Sequence, residues 1–165
     1  MHMRKLSGIF LAASLIPTLL LTPIHAQIAA QQKETPVTHH AHGIFTVKMA
    51  PLTPALAEGL SRFSIDKEIH GDLEATSKGE MLAGGDYSKG AAGYVAMELV
   101  TGTLAGKHGS FALQHSATMD ASGPKMTVIV VPGSGTGEFM GITGTFTIHI
   151  DGGKHSYDFD YTLPE

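Results

Sequence analysis

The chain has 165 residues, 42% apolar, 7% aromatic and 16% charged, with 20 glycines, 8 prolines and no cysteine. This composition excludes a disordered chain, a coiled coil, disulfides, thiol catalysis and zinc sites built on thiolates. A formal charge of −4 offers no basic excess to neutralise a run of phosphates, so nucleic acid is not an expected partner.

Residues 1–26 read as an export signal. Arg4 and Lys5 open a basic start, Leu6 to Leu21 form an apolar stretch, and a small-residue exit ends at Ala26, the expected cleavage point. Pro17 interrupts the apolar stretch, which is shorter than the roughly 20 residues a bilayer span needs, so no membrane anchor is expected after cleavage. Removal takes away Arg4 and Lys5 and no acidic residue, leaving a mildly acidic protein, secreted or periplasmic. Residues 27–40 lack apolar periodicity and read as a flexible leader, with the folded domain at 41–165. His39, His40 and His42 stand close enough in sequence to share a transition metal, but ligands on a leader lack supporting partners, so no metal site is assigned.

From Ala41 onward the apolar pattern has period two, with breaks rich in glycine, aspartate and serine. It predicts strands at about 42–49, 61–70, 72–82, 92–104, 108–119, 124–131, 143–150 and 154–163. Thr53 to Gly59 is the one helix candidate, with threonine to cap, proline to open and glycine to close a turn or two. The fold class is therefore all-β: eight antiparallel strands, a small barrel or sandwich, with at most one short helical turn.

Two hairpins can be registered. A Gly106-Lys107 loop would set Glu98 opposite His115 and Tyr94 opposite Met119. A Gly152-Gly153 turn pairs Asp151 with Lys154, Ile148 with Tyr157 and Phe146 with Phe159, one face apolar and the other wet. The run from Gly133 to Gly144 lacks the Lys-Ser or Lys-Thr ending of a nucleotide loop and no helix follows it, so it reads as a structural turn or bulge. No Gly-x-Ser-x-Gly elbow supports a serine hydrolase.

Three stretches carry a resemblance: Gly102 to His115 (GTLAGKHGSFALQH), Val131 to Glu138 (VPGSGTGE) and Gly141 to Gly144 (GITG). With His155, Tyr157, Asp160 and Tyr161 near the end, the chain resembles, over about residues 41 to 163, the bacterial domain-of-unknown-function family 3224. The resemblance implies the eight-stranded barrel of plant allene oxide cyclase. It implies no reaction and no catalytic residues, and the cyclase's chemistry enters by analogy of fold alone. The exported start departs from the family's compact pattern and argues against a cytoplasmic role.

Glu98 and His115 are the chemical candidates, since a carboxylate can fix an imidazole's tautomer and the imidazole can move protons near neutral pH. The plainer reading is a buried pair that satisfies itself. Small inward residues such as Gly43, Ala96, Gly102 and Ala117 suggest room inside the barrel. The leading expectation is a cofactor-free binding module for a small, largely apolar ligand, oriented by Tyr94, Glu98, His115 and Tyr157. An isomerase or cyclase using Glu98 and His115, and a ligand-free barrel acting through its outer face, are the alternatives.

Overall fold

The structure is a computed structural model and describes residues 36–164. The export segment expected at 1–26, and most of the leader, lie outside the described residues. Nine strands form: β1 (His39–Leu52), β2 (Leu60–Gly71), β3 (Leu73–Asp86), β4 (Ala91–Leu104), β5 (Lys107–Asp120), β6 (Gly123–Val130), β7 (Thr136–Gly137), β8 (Thr143–Asp151) and β9 (Lys154–Thr162). The sheet runs β4-β3-β2-β1-β9-β8-β6-β5, and β4 also pairs β5, which closes an eight-stranded antiparallel barrel. The two-residue β7 adds to the edge of β5 through Gly109–Gly137 and Ser110–Thr136.

Closure follows from alternation. On each long strand every second residue faces the axis, and most of these are apolar: Phe45 on β1, Ile65 and Ile69 on β2, Val100 on β4, Phe111 and Leu113 on β5, and Phe159 on β9 are all buried. The β8–β9 hairpin has the expected register, Asp151–Lys154 through Phe146–Phe159. Both turn residues, Gly152 (φ 54) and Gly153 (φ 78), occupy the left-handed region that such a turn demands.

The β4–β5 hairpin corrects one expectation. Its two-residue loop is Ala105-Gly106, so Leu104 pairs Lys107, Tyr94 pairs Ala117, Ala96 pairs His115 and Glu98 pairs Leu113. Both loop residues take positive φ, 51 at Ala105 and 78 at Gly106. A Gly106-Lys107 loop would have put Lys107 in that region, and this turn class favours glycine second. Every residue keeps its face, because the partner moves by two positions.

The helix expected at Thr53–Gly59 is absent. That stretch forms bends and a turn closed by Leu60 N–H donating to the Ala57 carbonyl (3.2 Å), with a cis Thr53–Pro54 peptide. Its residues are exposed, and one or two turns without a packed face do not offset helix nucleation. Among the described residues the single 3-10 turn is Tyr87–Lys89, capped by the Asp86 side chain accepting from Ser88 N–H.

The two ends of the barrel differ. One is sealed by the loop between β6 and β8: Phe139 and Ile142 are fully buried, and Phe139 meets Phe111 edge-on at 5.7 Å. Glycine-rich chain suits this plug, for a Cβ on Gly109 would collide with the Phe139 ring. At the other end β9 pairs β1 only from His39 to Phe45, and β6 meets β8 through the pair Ile129–Thr145. There the axis-facing residues are not sealed: Met49 is 47% exposed, Met126 38% and Ile150 64%, while Phe63, Met81, Tyr94, Ala117 and Met119 are half-buried.

Candidate functional site

A charged cluster sits between the plugged core and the open end. Glu98 projects inward from β4, and across the ladder stands Gly79, where a Cβ would lie 2.6 Å from that of Glu98. The missing side chain makes room for the carboxylate. Glu98 Oε1 accepts from Lys67 Nζ (2.6 Å) and His115 Nε2 (2.7 Å), and Oε2 accepts from Ser77 Oγ (2.6 Å). All four residues are buried, and among the described residues no buried side-chain nitrogen or oxygen lacks a partner.

Burial alone would push the Glu98 carboxyl up. The hydrogen bond from His115, the charge and hydrogen bond of Lys67 and the hydrogen bond from Ser77 outweigh it and hold the group at about 2. Glu98 is therefore a fixed anion, and Nε2 of His115, facing an ionised oxygen, carries a hydrogen.

Thus Glu98 and His115 do meet, as diagonal neighbours instead of direct cross-strand partners. Lys67 and Ser77 were not anticipated. The signal was present, since Lys67 interrupts the inward row Phe63, Ile65, Ile69, and an inward lysine needs an anion. Lys67 also lies over the Phe45 ring (4.9 Å to its centroid), whose side is covered by His155 at 5.0 Å. The half-buried His155 ring makes no hydrogen bond among the described residues. A chain of contacts thus crosses the barrel from His115 through Glu98 and Lys67, over the Phe45 ring, to His155.

Tyr94 stands on the same inward row as Glu98, toward the open end. Its hydroxyl donates to the Met126 thioether at 3.1 Å; burial first, then the charge of Glu98, raise its pKa. Tyr157 lies elsewhere in the lumen, stacked on Phe146 (4.8 Å). Its hydroxyl accepts from Leu73 N–H (3.1 Å), so it pins β9 to the start of β3.

Among the described residues, several other histidines lie on the outer wall. His40 and His42 belong to β1 and face Asp160 (2.6 Å) and Asp72 (3.1 Å), while His39 points the other way, onto Tyr161. His149 faces Asp158 at 2.8 Å. Two grooves also run outside the barrel, one beside Leu56, Val95 and Met97 and one beside Glu68, Thr76 and Thr101; neither is lined by Glu98 or His115.

Comparison with known proteins gives one family and a solved relative. The model of the family described as "Protein of unknown function (DUF3224)" matches residues 41–161. A crystal structure from Shewanella oneidensis MR-1, described as a protein with unknown function from the same family, is similar at 41% identity. It covers 78% of this chain and 100% of its own, with a TM-score of 0.70. No curated protein matches.

Proposed function

The chain belongs to the DUF3224 family of proteins of unknown function, and from that barrel we propose an exported binding protein that takes a small, largely apolar molecule into the open end of its lumen. The observation that carries the reading is the asymmetry of the interior. The plugged end is buried aromatic and aliphatic core, whereas axis-facing Met49, Met126 and Ile150 at the other end remain in water. Apolar side chains turned inward yet left uncovered form a cup, and methionine suits varied occupants because its thioether chain adapts. Glu98, Lys67, Ser77 and His115 give the cup a rigid polar floor.

The floor argues against the isomerase alternative in its simplest form. A carboxyl held at about 2 neither gives nor takes a proton near neutral pH, so Glu98 orients His115 and does not shuttle. The ligand-free alternative draws on the outward row Val95, Met97 and Leu99, each about half exposed.

Export rests on the three-part start of the sequence. Native mass spectrometry of the protein recovered from its own host tests both parts together. A chain beginning at Gln27 with a released small molecule supports the reading; an uncleaved chain removes export. For the cup, the purified protein should enhance the fluorescence of N-phenyl-1-naphthylamine, and Ala117→Phe, which fills the cup from β5, should abolish it. Absence of enhancement in the unaltered protein, with an oligomer that Met97→Glu dissociates, would favour the ligand-free alternative.

A further inference from the structure

Resting on the binding reading above, we infer that Tyr94 is the hydrogen-bond donor to the bound molecule and that this molecule is a neutral carbonyl compound, not an acid. The argument is one of spare capacity. In the polar floor both oxygens of Glu98 are taken by three donors, and among the described residues no buried side-chain nitrogen or oxygen is without a partner. The Tyr157 hydroxyl is held by the Leu73 backbone. Tyr94 differs: it is half-buried on the inward row at the open end, and among the described residues its hydroxyl has only the Met126 sulfur, at 3.1 Å. A thioether is a weak acceptor, so a carbonyl oxygen entering the cup gains a better bond than the one it displaces.

The floor also sets the charge of the guest. Glu98 is close enough for its negative charge to act on Tyr94. Lys67, the buried cation, is already paired with Glu98, and His155 stands on β9, four strands from β4 in either direction around the barrel. A carboxylate at Tyr94 would give up its hydration beside a Lys67–Glu98 pair that is already neutral, with no unpaired cation to compensate it, which disfavours it. A ketone, aldehyde or ester gains the bond without that penalty.

Three probes of similar shape separate these cases by displacing N-phenyl-1-naphthylamine: 2-ethylnaphthalene, 2-acetylnaphthalene and 2-naphthoate. In Tyr94→Phe the affinity ratio of the acetyl over the ethyl probe should fall about fivefold, the worth of one neutral hydrogen bond. Met126→Leu, which frees the hydroxyl without touching it, should raise the same ratio and serves if Tyr94→Phe folds poorly. 2-Naphthoate should bind most weakly in the unaltered protein. An unchanged ratio in both variants, or tightest binding of the naphthoate, would overturn the inference while leaving the cup intact. Failure of the dye itself to bind would remove the cup and the inference together.

Discussion

Glu98 shows how one buried charge organises its surroundings. Its three donors come from three different strands, Lys67 on β2, Ser77 on β3 and His115 on β5, so the carboxylate ties half of the barrel wall together. Removing one member of such a set is costly chiefly because its partner is left charged and buried. Glu98→Gln should therefore lose about 3–5 kcal/mol of unfolding free energy through the stranded Lys67 ammonium, and Lys67→Met in the same chain should restore more than half, both read by urea denaturation. A double variant no more stable than Glu98→Gln would show that packing around the site, not the unpaired charge, dominates. Tyr94 and His155 stand outside this interlocked set, each half-buried and facing the lumen with hydrogen-bonding capacity to spare.

The elements were largely readable from alternation, because a strand with one face in the core and one in water writes its period into the sequence. The β8–β9 hairpin could be registered as well, since two consecutive glycines define a turn that only they fill without strain. The β4–β5 turn was less legible, because it places Ala105, a residue with a Cβ, at φ 51. Ala105→Gly should accordingly raise stability by about 0.5–1 kcal/mol, the left-handed strain of alanine less the extra chain entropy of glycine. A loss on thermal unfolding would mean the alanine conformation is not strained. The plug was missed for a related reason: Phe139 sits in glycine-rich chain without periodicity, so nothing local marks it as core, yet it is fully buried.

For the molecule as a whole, the anion at its centre predicts how stability follows pH. The Glu98 carboxyl lies at about 2 in the folded protein against an ordinary 4.5. The unfolded chain therefore takes up the proton first as pH falls. The contribution of Glu98 is fully present above about pH 4.5 and drains away as the pH drops from there toward 2. The exposed carboxylates Glu74, Asp86 and Asp120, also lowered by local hydrogen bonds, act in the same direction. Thermal midpoints measured from pH 7 down to 3 should hold level and then fall, with a shallower fall in Glu98→Gln. An equally steep acid limb in that variant would place the acid sensitivity elsewhere.

The amino-acid sequence by itself determined the strand pattern, which residues face inward, and that Glu98 and His115 share a face, because these depend on alternation and turn chemistry within a few residues. What only the tertiary structure decided was the company those residues keep. Lys67 and Ser77 reach Glu98 from strands 31 and 21 residues earlier. Phe139 folds back to stop one end, and the other end stays open where the terminal hairpin parts from its neighbours. Those outcomes depend on closing the sheet into a ring, a long-range event that sets distant residues side by side: the inward Lys67 calls for an anion, but no nearby stretch of chain says which.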